Sequence, residues 1–245
     1  MSDAIEAGVQ LHLPTYIDRS LGELTGIATA ADREGFAQVW VTDNLECRNT
    51  FVVLAAFASV LEAKLGTAIM AQYFRSPVEA ARSLVTVSEL MGGRELCVGI
   101  GTGNPTTSRM IEMPRPVGFM RQTVTSLRRL LDAEEIEIDD YPLIREYFNF
   151  AEGAGLRVAG QPAGPIRLYG GGNGPKGLAL AGELMEGLIF GWTTKLNHTL
   201  GRIEEKLDIV TESRRRFDRE AVPFKKVTEL KISIAEDSTT AGTKA

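Results

Sequence analysis

The stretch from Leu65 to Pro77, followed by Met91-Gly92-Gly93-Arg94-Glu95-Leu96-Cys97-Val98-Gly99-Ile100-Gly101-Thr102-Gly103-Asn104, constrains this chain more than any other. It reads as strand, loop, helix, glycine turn, strand and glycine-rich mouth. Two short apolar strands joined by an amphipathic helix run parallel, because a crossover of that length returns the chain to the same end of the sheet. Small-molecule sites in such β-α-β units form just past the C-terminal strand ends, so the glycines after Val98 stand where a ligand would approach.

The same alternation runs through the rest of the sequence. Gly8-Val9-Gln10-Leu11-His12-Leu13 reads as a first strand, and Leu21, Leu24, Ile27, Ala28 and Ala31 mark one face of a helix capped by Ser20 and stopped at Gly35. Residues 39–42 form a second strand, 51–63 a second helix and 65–70 a third strand. Pro77 opens a helix whose Ala81, Leu84, Val85 and Ser88 face inward, and Val117, Met120, Val124, Leu127 and Leu131 predict another over 116–131. Residues 132–164 break the rhythm with acidic, aromatic and Gly/Pro-rich sequence. They read as an insertion holding an irregular hairpin over the mouth, or else as a solvated loop. The alternation resumes with a strand at 165–169, a helix from Pro175, a strand at 187–190, a charged helix over about 199–218 and a seventh strand at 229–235. Residues 236–245 are polar and small, so an eighth strand and helix are not expected. The expected fold is a single α/β domain over 1–245, a TIM (β/α)8 barrel that is either truncated, the chain being a fragment, or naturally without its last β/α unit.

A chain of 245 residues with 44% hydrophobic and 24% charged residues can bury one sizeable core. A net charge of −5 gives no electrostatic reason to expect nucleic acid or an anionic membrane as partner. The sequence has no apolar run of about eighteen residues and no basic, apolar start of a secretion signal, which predicts a cytoplasmic location. Cys47 and Cys97 have no metal-ligand spacing and are expected to be free thiols, with no metal site.

The pieces Trp40-Val41-Thr42-Asp43, Arg48-Asn49, Tyr73-Phe74-Arg75-Ser76-Pro77, Gly99-Ile100-Gly101-Thr102-Gly103, Gly174-Pro175-Lys176 and Leu180-Ala181-Gly182-Glu183 together resemble the luciferase-like family of flavin- or deazaflavin-dependent barrel oxidoreductases. The resemblance covers about residues 8–235 and is nearest to the methylenetetrahydromethanopterin reductase branch, which uses coenzyme F420. It implies hydride transfer between F420 and a small organic substrate, in a homodimer. FMN with oxygen chemistry, as in the monooxygenases of the family, is the alternative cofactor. A noncatalytic flavin-binding protein is the alternative of another class.

The resemblance also implies a site. Asp43 and Asn44, at the end of strand two, would border the ring of the cofactor. Ala68, Ile69 and Met70 align with a bulge and a non-proline cis peptide, Ala68-Ile69, that relatives hold against the ring face. Gly101, Gly103 and Asn104 would approach it from strand four. Independently of the resemblance, Gly170-Gly171-Gly172-Asn173-Gly174-Pro175-Lys176 follows a strand and opens a helix. The backbone N–H groups of Gly171, Gly172, Asn173 and Gly174, with Lys176, can converge on a phosphate. Thr193, Thr194 and Lys195 add hydroxyls and a cation at the neighbouring position. Gln10 and His12 share one face of strand one. Relatives carry histidine at Asn44, glutamate at Gln10 and a carboxylate at Asn104; amides orient a substrate but do not transfer protons, which leaves His12 as a proton donor or as a packed structural histidine. For the dimer, Phe51, Val52, Leu54, Ala55 and Phe57 present more apolar surface than one sheet-facing stripe needs.

Overall fold

The computed structural model describes residues 5–103, 107–191, 198–232 and 236. Seven parallel strands form one sheet, in the order β1 (Gly8–Leu11), β2 (Gln38–Val41), β3 (Lys64–Ala71), β4 (Leu96–Gly101), β7 (Ile166–Gly171), β8 (Gly187–Phe190) and β9 (Lys225–Thr228). β5 (Ile136–Glu137) and β6 (Gly155–Leu156) make a separate antiparallel pair. The helices are α1 (Leu21–Arg33), α2 (Thr50–Ala58), α3 (Pro77–Leu90), the short α4 (Thr107–Met110), α5 (Pro116–Leu131), α6 (Pro142–Phe148), α7 (Pro175–Leu184) and α8 (Ile203–Arg216). Crossover helices alternate with the sheet strands, as the sequence reading expected, and among the described residues β9 is the seventh and last strand of the parallel sheet.

The sheet is curled, so that its two free edges approach one another at the N-terminal strand ends. There the Glu6 carboxylate, just before β1, accepts from Lys64 Nζ at 3.0 Å and lies 3.6 Å from Lys225 Nζ on β9. Lys225 also stands 4.0 Å from Glu95, which lies 3.6 Å from Arg167. One ionic layer therefore closes the bottom of a partial barrel.

Strand alternation sorts the apolar residues into two cores. Val39, Val41, Leu65, Leu96, Val98 and Leu168 face outward and pack against the helices in the large core. Trp40, Cys97, Tyr169 and Ile189 face inward and make a small second core with Ala68, Ile69 and Val227. Glycine makes room for these large inward side chains. A Cβ on Gly66 would stand 2.6 Å from the Trp40 ring, and one on Gly187 would stand 2.5 Å from Tyr169.

Local signals placed several boundaries correctly. Ser20 and Glu23 form a reciprocal capping box at the start of α1, Gly35 after that helix has φ +84, and α5 spans the range its apolar stripe predicts. Three expectations are corrected. α2 ends at Ala58 rather than near residue 63, because the Arg94 guanidinium takes the carbonyls of Ala58, Leu61 and Ala63 while the Asp32 carboxylate accepts from the N–H groups of Glu62 and Ala63. The last strand lies at Lys225–Thr228 rather than 229–235, of which 233–235 fall outside the described residues. The insertion does hold the antiparallel β5–β6 pair, but it packs beside α5, where Gln122 caps the first N–H groups of α6 and Tyr147 meets Phe119 at 5.2 Å and Tyr73 at 5.3 Å, while Phe148 and Phe150 line a groove with Asp43 and Asn44.

The surplus apolar face of α2 is also smaller than its sequence suggests. Phe51, Leu54 and Phe57 are buried within the chain, whereas Val52 is 60% exposed.

Candidate functional site

The C-terminal strand ends form a mouth whose floor is almost free of side chains. Between the pairs Thr67↔Val98 and Met70↔Ile100, two residues of β3 face the single Gly99 of β4, which makes a bulge at Ala68 and Ile69. The Ala68-Ile69 peptide bond is cis, as the resemblance implied. Ile69 turns inward and lies over Gly101 and Gly171, so close that a Cβ on either glycine would overlap it. Met70 does the opposite. Its side chain, 1% exposed, points into the outer sheet–helix core, so it backs the bulge from behind rather than bordering the mouth.

Gln10 is inward on β1, and its side-chain amide donates to the Ala68 carbonyl at 2.9 Å. His12 follows on the same face, half-buried, with Nδ1 at 2.8 Å from the Thr15 hydroxyl. Burial, then the nearby Lys231 ammonium, pushes the His12 imidazolium pKa below its usual range, which favours the neutral ring.

Asp43 ends β2 with its carboxylate engaged by the protein. It accepts from Arg75 at 2.5 and 3.1 Å, from the Thr50 hydroxyl at 2.9 Å and from the Ala71 N–H at 3.1 Å. Its side chain is 3% exposed and that of Arg75 is 11% exposed. This pair ties the segment after β2 to the end of β3 and the turn beyond it. Arg75 also lies over the Phe51 ring, 4.8 Å from its centroid. Beyond the pair, Asn44, Leu45, Cys47, Phe74, Phe148 and Phe150 line a groove of about 540 Å³. The groove is beside the mouth, on the α2–α3 side, and none of the residues of the 171–176 turn lines it.

On the opposite side, Gly171 ends β7 and Gly174 is the N-cap of α7, with no side-chain cap on the helix. A Cβ on Gly172 or Gly174 would meet nothing within 4 Å, so the turn is open toward solvent. The uncapped N–H groups of that helix end are available to an anion. Lys176 is exposed, and Gly103 has φ +95. Asn104, Thr193, Thr194 and Lys195 lie outside the described residues.

Two groups at this mouth escaped the sequence reading. Lys206 of α8 donates to the Asn173 carbonyl at 2.6 Å and brings an ammonium beside the glycine turn. Glu229 extends the β8–β9 ladder through its N–H to the Phe190 carbonyl at 2.9 Å. Burial raises the pKa of its carboxyl. Neither had a local signal: Lys206 belongs to a charged helix face, and Glu229 is identified only by the true register of β9. Among the described residues no cluster of three or more His, Cys, Asp or Glu could hold a metal ion.

Known proteins resemble this chain along most of its length. The 5,10-methylenetetrahydromethanopterin reductase of Archaeoglobus fulgidus is 32% identical over 175 residues, which cover 70% of this chain and 50% of the relative. The F420-dependent glucose-6-phosphate dehydrogenase of Nakamurella multipartita is 25% identical over 182 residues, covering 68% of this chain and 51% of the relative. This chain thus spans about half the length of these curated relatives. In fold, it superposes on the coenzyme F420-dependent tetrahydromethanopterin reductase of Methanopyrus kandleri with a TM-score of 0.75 at 20% identity, over 97% of this chain and 69% of the other. The curled parallel sheet agrees with a sequence pattern that matches over residues 2–245, and the chain belongs to the luciferase-like monooxygenase family.

Proposed function

We propose that this chain is an oxidoreductase that binds coenzyme F420 at the C-terminal mouth and transfers hydride between it and a small organic substrate. The observation that carries this reading is the mouth itself, an apolar floor of Ile69 and glycines that a planar ring can approach, rimmed by hydrogen-bonding groups. The names of the relatives favour the deazaflavin over FMN.

When bound, the coenzyme donates or accepts the hydride. Gln10 fixes the bulge that carries Ile69, and the Asp43–Arg75 pair fixes the adjoining strand ends. The turn from Gly171 to Lys176 and the start of α7 suit the coenzyme phosphate, with Lys206 beside them and Lys195 as a further cation. Asn44, Gln10 and Asn104 orient the substrate through amides, and the bulk of Ile69 and Trp40 keeps water out of the barrel below. The reading includes a cytoplasmic enzyme with the free thiols Cys47 and Cys97, and a homodimer that covers Val52 of α2.

The purified protein should bind F420 more tightly than FMN, by fluorescence quenching, and should oxidise or reduce substrate without taking up oxygen. Tighter FMN binding with substrate-dependent oxygen uptake would establish the monooxygenase reading instead. Tight binding without turnover across a substrate panel would point to a noncatalytic flavin-binding protein.

A further inference from the structure

We propose that Glu229, at the mouth end of β9 beside Gly191, is the acid–base residue of this site and exchanges with the substrate the proton that accompanies each hydride. The inference rests on the hydride-transfer reading above.

The geometry of β9 puts Glu229 on the inside. Lys225 reaches the inward ionic layer, and Val227 packs in the inner core with Trp40 and Tyr169. Glu229 is the next residue in that alternation, and its N–H bond to Phe190 continues the ladder to this point. On β8 the inward set is Gly187, Ile189 and then Gly191. A Cβ at Gly191 would stand 3.7 Å from Glu229 Oε2, so the carboxyl occupies the inner side of the β8–β9 mouth. β9 and β1 are the two edges that the Glu6–Lys225 contact brings together at the bottom. At the top of the same seam, Lys231 bears electrostatically on both His12 and Glu229.

Three of the polar groups that the resemblance places near the reacting centre, Gln10, Asn44 and Asn104, are amides and cannot take up or release a proton near neutral pH. His12 is biased toward the neutral ring and is engaged with Thr15. Glu229 has the complementary property. Burial favours its protonated form and outweighs the opposing pull of Lys231, so it holds a proton nearer neutrality than an exposed glutamate does. Among the described residues, the charged or titratable groups facing this seam are His12 at the end of β1 and Lys231 beyond β9. β3, β4, β7 and β8 contribute Ile69, Gly101, Gly171 and Gly191.

In the reducing direction, hydride from the reduced deazaflavin forms a C–H bond at the substrate carbonyl carbon. The π pair of the C=O bond moves onto oxygen, and the Glu229 carboxyl gives that oxygen its proton and becomes carboxylate. The two electrons arrive with the hydride, and the product is an alcohol. In the oxidising direction the Glu229 carboxylate accepts the hydroxyl proton as hydride leaves the same carbon.

The test uses the full chain with F420 and the probe pair acetone and 2-propanol. Glu229→Gln should bind F420 within about twofold of the unsubstituted protein and lose about a hundredfold or more in kcat, and Glu229→Asp should recover part of the loss. In Glu229→Gln the fall of kcat/KM toward low pH should vanish for 2-propanol oxidation, and the fall toward high pH should vanish for acetone reduction. A carboxyl carbon-13 NMR titration, assigned by its absence in that variant and measured without coenzyme, should give Glu229 a midpoint above the ordinary glutamate value of about 4.3. An ordinary midpoint, unchanged turnover in Glu229→Gln, or absence of turnover in the unsubstituted protein that does bind F420 would overturn the assignment. A comparable loss confined to His12→Gln would hand the proton to His12. Failure of the unsubstituted protein to bind F420 would overturn the coenzyme reading, and the coenzyme-free midpoint would still decide whether Glu229 is a displaced carboxyl.

Discussion

The side-chain amide of Gln10 donates to the main-chain carbonyl of Ala68 at 2.9 Å, across the inside of the barrel from β1 to the bulge in β3, with β2 lying between them in the sheet. An ionised glutamate at this position would have no proton to offer the carbonyl. Gln10→Glu should therefore destabilise the fold by about 1–3 kcal/mol at neutral pH. The introduced carboxyl can bond to Ala68 only when protonated, so its folded pKa lies above its unfolded value of about 4.3. Its contribution is present below that value and is lost as pH rises through the folded pKa. Urea unfolding should show a smaller deficit near about pH 5 than near neutrality; an equal deficit at both would refute the assigned bond.

Asp43 and Arg75 make a largely buried pair; removing Arg75 takes the cation from the Asp43 carboxylate, whereas removing Asp43 leaves the guanidinium with the more exposed Glu79 at 3.4 Å. Arg75→Met should cost about 3–5 kcal/mol, and Asp43→Asn less, because Glu79 still accompanies the guanidinium. The double variant should cost clearly less than the sum of the two, because it removes the orphaned charge together with its partner. Additive losses in thermal or urea unfolding would show that the pair does not act as a unit.

Glu6 is held below the usual carboxylate range by its hydrogen bond from Lys64, with Lys225 adding to the effect. Because its folded pKa is depressed, its contribution is present above the unfolded value of about 4.3 and is lost as pH falls toward and through the folded value. Glu6→Gln should mimic the acid state. Amide hydrogen exchange over β9 should quicken in the variant, and unchanged exchange there would mean that the ionic layer does not hold this edge.

Cys97 lies inside the barrel, 1% exposed, and burial pushes its thiol up to about 11, with the Tyr169 hydroxyl at 3.6 Å from Sγ. Cys47 is half-buried at the side groove, and burial raises its thiol as well. Since the thiolate is the reactive form, iodoacetamide near about pH 8 should label Cys47 at least ~100-fold faster than Cys97 in the folded protein. Peptide mass spectrometry would read both sites, and denaturant should abolish the difference.

Elements governed by contacts close in sequence were legible before the structure. The Ser20 cap, the Gly35 stop, Pro77 at the start of α3 and the stripe from Val117 to Leu131 each act within a turn or two of helix, so the residues themselves carry the information. The glycine-rich ends of β4 and β7 were legible for a related reason, since a strand that ends in glycines leaves its mouth open. The resemblance supplied the bulge at Ala68 and Ile69, which periodicity alone does not distinguish from an ordinary strand end.

What remained hidden depended on partners far away in the chain. α2 stops early because Arg94 and Asp32, thirty or more residues from the groups they bind, take over the backbone groups of the connection. Ala68 and Ile69 are neighbours in sequence yet both pack with the inner core, because the bulge shifts the alternation and turns Met70 outward. β9 has two lysines and a threonine among its four residues and lacks the apolar look of a strand; Lys225 meets the carboxylates of Glu6 and Glu95, which just precede β1 and β4. Sequence determined the β/α order and the open ends of the strands, because those follow from local propensity and spacing. Tertiary structure decided the register of the last strand, the side each residue of the bulge faces and hence the place of Glu229 in the mouth, because those follow from charges and volumes that meet only when the sheet curls.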